Sequence, residues 1–179
     1  MRRIASTAIF ALSLAPNLAV ACWEQAGQRY GMSPQLLYAM ARVESSLNPA
    51  AVNNSHRKRT GTYDIGLMQI NSSHLPTLAR HGIQEADLYD PCINIHVGAW
   101  LLASEFGRHG VSWEGVGAYN AACTQLRGND CKAARAKYAW LVYRSLRIAS
   151  KPTIASAIGA PATRAETTYG PLLAVRVAP

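Results

Sequence analysis

The stretch from residue 92 to residue 110, CINIHVGAWLLASEFGRHG, constrains the fold more than any other part of the chain. Its apolar residues recur every three or four positions, which places Ile95, Ala99, Leu102 and Phe106 on one face. That spacing is typical of a helix that packs one side against a core. The pattern therefore predicts a long helix over 92–110 and a mainly helical protein around it.

A second strong helix signal lies upstream, in SPQLLYAMARVESSLNP. Ser33 followed by Pro34 is a typical helix start, since serine caps the first turn and proline needs no hydrogen-bonded N–H there. Pro49 is expected to end this helix. Its predicted core residues are Leu36, Met40, Val43 and Leu47.

The remaining segments differ in character. A short helix is predicted over 73–81, ending at Gly82, and a turn is predicted over 84–88. Ser112 is expected to cap the segment WEGVGAYNAA, and a last helix is predicted over 132–149. The residues of that last helix expected to face inward are Ala136, Ala139, Trp140, Tyr143 and Leu146.

Two central segments carry weaker helix signals. Residues 50–62, AAVNNSHRKRTGT, form a polar and basic stretch that predicts a loop. Residues 63–71, YDIGLMQIN, contain a glycine in mid-run and suit an irregular strand or hairpin. The sequence therefore predicts a mainly α protein with a small β element near 63–71.

The N-terminus has the features of a secretory signal peptide over residues 1–21. Arg2 and Arg3 supply the positive charge, an apolar stretch follows, and Ala19-Val20-Ala21 fits the cleavage pattern. The apolar part is too short for a membrane-spanning anchor, the alternative interpretation. We therefore expect an exported, periplasmic protein, with an ordered domain over 22–150. Residues 151–179, rich in Ala, Pro and Thr, predict a flexible tail.

Four cysteines agree with export, because an even number in an exported protein favours disulfides. They allow three pairings. Cys123 and Cys131 bracket a short polar segment and favour a local pair, which leaves Cys22 for Cys92. A zinc site is the rival interpretation, but the close C-x-x-C spacing is absent. Lipidation of Cys22 also stays open, although LAVA is a poor match to a lipidation box.

The chain is basic, with a formal net charge of +8. An exported basic protein meets anionic surfaces such as wall polymers, phospholipid headgroups and acidic glycans. Nucleic acid is argued against by export and by the absence of a recognition motif. The five histidines show no metal-ligand spacing, so neither a metal nor a cofactor is expected.

Glu44 is the most informative polar residue, because it lies at the border of the apolar face of its predicted helix. From helix position alone, a solvated surface glutamate on the polar rim is the simpler interpretation. Burial disfavours its anion, and so does the negative C-terminal end of the helix, where Glu44 is placed. Both effects predict a raised pKa. A carboxylic acid that stays protonated near neutral pH suits the cleavage of glycosidic bonds, in which the leaving oxygen needs a proton.

Four short motifs share an order with a known family. They are VESSLNP (43–49), GLMQIN (66–71), DPCIN (90–94) and AYNAA (118–122). In this order they resemble the lysozyme-like soluble lytic transglycosylases, above all the small exported members associated with type III and type IV secretion, conjugation and pilus systems. The resemblance runs from about Cys22 to Ala122. It implies a lysozyme-like fold in which the small β element flanks a glycan-binding cleft.

The resemblance also implies a function and a set of roles. The substrate would be peptidoglycan, cleaved between N-acetylmuramic acid and N-acetylglucosamine with formation of a 1,6-anhydro sugar, and Glu44 would be the sole catalytic acid and base. Components of a secretion or conjugation machine would be partners. The residues implied to orient the site or contact the glycan are Ser45, Met68, Gln69, Asn71, Tyr119 and Asn120.

Two alternatives stay open. Asp64 lies close to the GLMQIN segment and would allow ordinary hydrolysis if it served as a second catalytic carboxylate. Alternatively, the protein is a wall-binding assembly factor, and cleavage is incidental. The basic HRKR segment (56–59) is expected to be a solvated loop, and attraction of the acidic stem peptides of peptidoglycan is its alternative role.

Overall fold

The computed structural model describes residues 18–123 and 125–149. Their elements alternate between helices and a small central sheet. The helices are α1 (Leu18–Tyr30), α2 (Pro34–Ser45), α3 (Arg57–Thr60), α4 (Leu75–Ala79), α5 (Pro91–His109), α6 (Trp113–Asn120) and α7 (Gly128–Ala149), and the strands are β1 (Val52–Asn53), β2 (Asp64–Ile65) and β3 (Ile70–Asn71). The mainly helical architecture that the sequence predicts is confirmed.

The two ends of the chain are outside this description. Residues 1–17 of the proposed leader and the predicted tail from residue 151 lie outside the described residues, and α1 begins at Leu18. The signal peptide and its cleavage after residue 21 therefore stay predictions. A search of the described residues finds no helix with the length and hydropathy needed to cross a membrane.

Helix α2 starts as predicted and ends earlier than predicted. The Ser33 hydroxyl accepts a hydrogen bond from the Leu36 N–H at 3.4 Å, and Pro34 follows it directly. The helix ends at Ser45, where the backbone turns left-handed at Ser46 (φ 55°) and Leu47 (φ 66°), so Pro49 does not end it. Two successive left-handed residues leave no helical geometry to continue.

The buried side of α2 is also turned from the predicted one. Leu36 and Met40 are buried as predicted, but Val43 and Leu47 are only partly so. The row Leu37, Ala41 is fully buried instead, because α7 packs against α2 on that side. Glu44 continues this row, since side chains three and four residues apart share one face.

The sheet is antiparallel, with strand order β1-β2-β3. Asp64 pairs with Asn53 on one side and with Asn71 on the other. Residues 63–71 thus form the predicted hairpin. The preceding segment, predicted as loop only, contains β1 and the single turn of α3, since β1 satisfies the free backbone groups at the edge of β2.

Helix α5 is the centre of the fold. Its predicted core residues Ile95, Ala99, Leu102 and Phe106 are all buried, and α1 and α6 pack against it. Asp90 caps its start by accepting a hydrogen bond from the Ile93 N–H at 2.9 Å. Short helical turns over 72–74, 75–79 and 85–89 lead into it, near the predicted positions.

Helix α7 corrects the prediction for the last helix. It begins at Gly128, before the predicted residue 132, and its inward face carries Tyr138, Ala139, Val142 and Ser145. Of the predicted inward residues, Ala136 and Trp140 are exposed, and Tyr143 and Leu146 are half-buried. The prediction assigned the large aromatic residues to the core. The contacts with α2 and α6 instead select the side that carries Tyr138 and Val142.

Both predicted disulfides are present. Cys22 is bonded to Cys92, with 5.3 Å between Cα atoms, and Cys123 is bonded to Cys131, with 5.5 Å. The first ties α1 to the start of α5, and the second ties the segment after α6 to the start of α7. A disulfide stabilises mainly by restricting the unfolded chain, and the restriction is greater for the longer loop, here 70 residues for Cys22–Cys92.

Candidate active site

Glu44 lies in the last turn of α2, between α7 and the hairpin of residues 63–71. The hydroxyl of Tyr138, on the inward face of α7, donates a hydrogen bond to Glu44 Oε1 at 2.5 Å. A hydrogen bond this short between a hydroxyl and a carboxylate is a strong, charge-assisted one. It fixes the position of one carboxyl oxygen, Oε1.

The environment of Glu44 favours the protonated acid. Burial raises the pKa of Glu44 from its ordinary 4.5 to about 7, the hydrogen bond from Tyr138 lowers it, and the negative charge of Asp64 raises it further. Burial is the largest of these effects because the anion loses its hydration. At neutral pH the carboxyl is therefore divided between acid and base forms, as a group that gives and then takes a proton requires.

Ser45 joins the Glu44 helix to the hairpin. Its hydroxyl donates to the Leu67 carbonyl at 2.7 Å and accepts from the Asn48 N–H at 3.1 Å. The Ser45 hydroxyl therefore fixes the residue next to Glu44 to the hairpin of residues 63–71 and also to the chain that follows α2.

Asn94, in the first turn of α5, holds the backbone of the hairpin through side-chain hydrogen bonds. It is fully buried, donates to the carbonyls of Leu88 at 2.7 Å and Ile65 at 3.1 Å, and accepts from the Met68 N–H at 2.7 Å. Gly66 (φ 74°) leaves room for this amide, because an added Cβ there would lie 2.3 Å from Asn94 Nδ2. Any side chain at Gly66 would thus displace the residue that fixes the hairpin.

The side chain of Met68 is fully buried and packs against Gly98 of α5. The resemblance implies a glycan contact for Met68, whereas the residue type itself favours packing, and this burial agrees with packing. Its carbonyl accepts a hydrogen bond from the Tyr119 hydroxyl at 2.9 Å, so Tyr119 of α6 supports the hairpin directly. Burial, and then the charges of Glu44 and Asp64, raise the pKa of Tyr119 well above its usual range. Tyr119 is therefore a neutral hydrogen-bond donor at every pH relevant to the site.

Gln69 stands at the tip of the hairpin with a left-handed backbone (φ 51°). Its amide nitrogen donates to the Gly66 carbonyl at 2.8 Å and to the Ala51 carbonyl at 3.4 Å. These contacts close the turn. A glycan contact by Gln69 would accordingly involve its carbonyl oxygen.

Asn120 is exposed at the end of α6, and the next residue is held from α7. The Arg135 guanidinium donates from Nε to the Ala121 carbonyl at 3.0 Å and pairs with Glu114 at 2.8 Å. The AYNA segment is thus fixed from both sides, by Tyr119 to the hairpin and by Arg135 to α7.

Asn71 and Asp64 form a polar network on the sheet. Asn71 donates to Asp64 Oδ1 at 2.7 Å and to the Thr62 hydroxyl at 3.2 Å, while Asn53 donates to Asp64 Oδ2 at 3.2 Å. His56 Nδ1 lies 3.6 Å from the same oxygen. Asp64 is therefore a bound carboxylate, close enough to act on the pKa of Glu44 through its charge.

Backbone strain is concentrated around this site. Among the described residues, the non-glycine positions with positive φ are Ser46, Leu47, Gln69 and Cys123. Ser46 and Leu47 follow Glu44, Gln69 lies at the tip of the hairpin, and Cys123 follows the AYNAA motif (118–122). Such conformations cost of order 1–3 kcal/mol each and cluster where function over-determines the backbone.

Tyr138 and the role of Asn94 are the main features that the sequence reasoning missed. Tyr138, Val142 and Ser145 follow the i, i+4, i+7 spacing of a buried helix stripe, which identifies Tyr138 as inward-facing. The prediction placed Trp140 in the core instead, because tryptophan is larger and more apolar than tyrosine. The sequence signal for Asn94 is a polar residue at the start of a mostly apolar helix, much as Glu44 is a carboxyl group beside an apolar helix face.

A separate concavity of about 670 Å³ lies between the end of α1, α4 and α5, and its described lining includes Tyr30, His81, His96 and Trp100. Of the predicted site residues, this lining contains the disulfide-bonded Cys92 but neither Glu44 nor any residue expected to contact the glycan. Over residues 18–123 and 125–149, no three His, Cys, Asp or Glu side chains come together as a metal site would.

A helical domain with a three-stranded sheet beside a helix-borne carboxyl is the arrangement of lysozyme-like proteins. The fold is similar to that of an inactive variant of the lytic transglycosylase Slt from Pseudomonas aeruginosa, with a TM-score of 0.57 and 20% identity over 74% of this chain. This chain spans only 24% of that larger protein.

The chain belongs to the Transglycosylase SLT domain family, whose profile matches residues 21–141. It is 43% identical over 127 residues to "Invasion protein IagB" of Salmonella typhimurium (strain SL1344), which covers 70% of this chain and 77% of that protein. It is also 41% identical over 143 residues to "Protein IpgF" of Shigella flexneri, covering 78% of this chain and 90% of that protein.

Proposed function

We propose that this protein is a peptidoglycan lytic transglycosylase that cleaves the β-1,4 bond between N-acetylmuramic acid and N-acetylglucosamine. The observation that carries the proposal is Glu44, a carboxyl group with a pKa of about 7 beside a tyrosine donor and the strained hairpin. Family membership supports the same substrate class.

The reaction needs one group that donates and then accepts a proton. Glu44, protonated on Oε2, gives its proton to the bridging oxygen as the glycosidic bond breaks. The acetamido group of the substrate stabilises the positive charge on the sugar, which makes this a substrate-assisted case outside the two-carboxylate scheme. Glu44, now a base, takes the proton of the muramic acid 6-hydroxyl while that oxygen bonds to C1. The anhydro sugar forms, no water is consumed and Glu44 is again protonated.

The neighbouring residues have supporting roles in this proposal. Ser45 orients the end of α2 through its bond to the hairpin. Gln69, Asn71 and Asn120 border the glycan, and Tyr119 holds the hairpin carbonyl beside it. Tyr138 directs the carboxyl and lowers its pKa from the value that burial alone would set.

Hydrolysis with Asp64 as a second carboxylate is the competing function. It is favoured by the electrostatic effect of Asp64 on Glu44. It is opposed by the hydrogen bonds from Asn53 and Asn71, which occupy both Asp64 oxygens. A carboxyl group that already accepts hydrogen bonds on both oxygens is poorly placed to activate water, so we prefer the transglycosylase.

The biological role that we propose is local opening of the wall during assembly of a secretion or conjugation apparatus. The name of the Salmonella relative, an invasion protein, supports this assignment. The role requires export, which the N-terminal sequence predicts.

Mass spectrometry of the fragments that the protein releases from purified peptidoglycan tests the proposal. The expected products are anhydro-muropeptides, lighter by one water than reducing-end products. Glu44→Gln should abolish their release, while Glu24→Gln, a matched change of an exposed glutamate on α1, should leave it intact. Reducing-end products would instead establish hydrolysis. A Glu44→Gln protein that keeps its biological function would establish the binding-factor alternative.

A further inference from the structure

The outward side of α7 exposes more large apolar groups than a solvated helix face normally does. Trp140 and Ile148 are each 58% exposed and Leu141 is 42% exposed. These residues alternate with exposed cations along the helix. We define the α7 outer face as Lys137, Trp140, Leu141, Arg144, Arg147 and Ile148, with Trp113 and Tyr143 along one edge.

The aromatic residues of this face are held in a fixed arrangement. The ring of Trp140 stacks on Tyr143 at 5.4 Å with 23° between the planes, and Trp113 meets Tyr143 edge-on at 5.6 Å. The guanidinium of Arg147 lies over the Tyr143 ring, with its Cζ atom 6.0 Å from the ring centroid. Such packing keeps the large Trp140 ring at the surface with little conformational freedom left to lose on binding.

The charge of the face has one sign. From residue 131 to 149 the chain contains no aspartate or glutamate, whereas the exposed cations Lys137 and Arg144 lie on the outer face. Glu114, on the neighbouring helix, is paired with Arg135 at 2.8 Å and so does not neutralise them. The partner of this face must therefore be anionic and partly apolar.

We propose that the α7 outer face docks onto an anionic phospholipid surface. Tryptophan and aliphatic side chains enter the boundary between headgroups and acyl chains, while lysine and arginine reach the phosphates. The polar groups of the face are hydrogen-bond donors, which phosphate oxygens satisfy. A sugar surface would need acceptors as well as donors, and Leu141 and Ile148 would gain little from it.

The two faces of α7 then have complementary tasks. Tyr138 points inward to Glu44, on the side opposite Trp140 and Arg144. A protein docked through the outer face would hold the Glu44 side away from the lipid. This inference is independent of the proposed cleavage reaction, because a catalytically inactive protein would dock equally well.

Co-sedimentation with vesicles tests the proposal, using the full chain in its exported form with an identical N-terminus in every variant. Wild type should bind vesicles containing phosphatidylglycerol at low salt, bind pure phosphatidylcholine vesicles far more weakly, and be released by added salt. Trp140→Ala should weaken binding about tenfold through lost apolar burial. Lys137→Glu/Arg144→Glu should weaken it by at least roughly fivefold for each cation removed.

Matched controls separate position from composition. Tyr89→Ala removes an exposed aromatic elsewhere, and Lys58→Glu/Arg80→Glu makes the same change in net charge away from α7. Both should bind as wild type, as should Glu44→Gln. Unchanged circular dichroism and melting would show that the α7 variants fold.

Several results would overturn the proposal. One is wild-type binding that is absent or equally affected by the two charge-reversed pairs. Another is Trp140→Ala that binds vesicles normally but loses retention on purified peptidoglycan, which would identify a glycan surface. A third is a change in molar mass by light scattering on Trp140→Ala without lipid, which would identify self-association.

Discussion

Two carboxyl groups, Glu44 on α2 and Asp64 on β2, interact through their charges, and their surroundings are opposite. Glu44 ends a helix against apolar residues, and the described hydrogen bond to its carboxyl comes from Tyr138 alone. Asp64 lies on a strand, with Asn53 and Asn71 donating to its oxygens and His56 close by. Burial with one donor raises a carboxyl pKa, whereas several donors stabilise the anion.

This difference indicates how two carboxyl groups in one small region can be given different tasks. The surroundings of a carboxyl group, rather than its residue type, set its pKa. Asp64 adds to the raised pKa of Glu44 and holds the hairpin, and under the proposed function Glu44 transfers the proton.

Changing the two carboxyls one at a time should produce the largest effects. Glu44→Gln removes the transferable proton and is expected to lower the cleavage rate by about 10³-fold or more. Asp64→Asn should lower it far less, and its products should remain anhydro sugars. The measurement is the rate of muropeptide release with product identification. Equal losses from both changes, with reducing-end products in wild type, would transfer the second catalytic role to Asp64.

Removing the buried Asn94 amide should destabilise the hairpin that carries Asp64. Asn94→Ala leaves two carbonyls and the Met68 N–H without their buried partner, so we expect about 3–5 kcal/mol loss in the free energy of unfolding. Chemical denaturation measures this loss. The exposed Asn120→Ala is the control and should change stability by less than about 0.5 kcal/mol. A small loss in the free energy of unfolding for Asn94→Ala would mean that the hairpin does not depend on the hydrogen bonds of Asn94.

The same two regions show how far the sequence determined the site. Glu44 could be singled out because a carboxyl group borders the apolar face of its helix and because the family motifs follow it in order. The short-range signals of Ser33, Gly66 and Ser112 set the local geometry correctly. These are features that neighbouring residues decide.

What could not be read from the sequence depends on distant packing. Tyr138 reaches Glu44 across 94 residues, and only the docking of α7 on α2 decides which side of α7 is inward. A helix such as α7, with aromatic residues on several sides, does not define its own buried face. The same uncertainty placed Trp140 in the core.

The pKa of Glu44 also predicts a pH dependence of stability. Below pH 4.5 the carboxyl is protonated in the folded and unfolded states alike. As the pH rises from 4.5 towards 7, the unfolded state ionises while the folded state stays protonated, so folding loses stability until the folded pKa of about 7 is passed. The loss is at most about 3 kcal/mol.

Thermal melting of wild type and Glu44→Gln at pH 4 and pH 8 measures this loss. The glutamine variant does not titrate at this position, so its melting temperature should exceed that of wild type by more at pH 8 than at pH 4. Glu24→Gln should show no such pH-dependent difference. A constant gap at both pH values would contradict a raised pKa for Glu44.

Tyr138→Phe should give the smallest of these effects and the most direct view of the Glu44 environment. The tyrosine hydroxyl lowers the pKa of Glu44, so its removal should raise that pKa above about 7. Because Glu44 must be protonated to donate, the alkaline limb of the pH dependence of kcat/KM should move to higher pH. The maximal rate should fall about tenfold, since one carboxyl oxygen loses its orienting donor. Tyr143→Phe, the same change on the outward side of α7, should alter neither. A limb that stays in place in Tyr138→Phe would assign the hydroxyl a packing role and leave the pKa of Glu44 to burial and Asp64 alone.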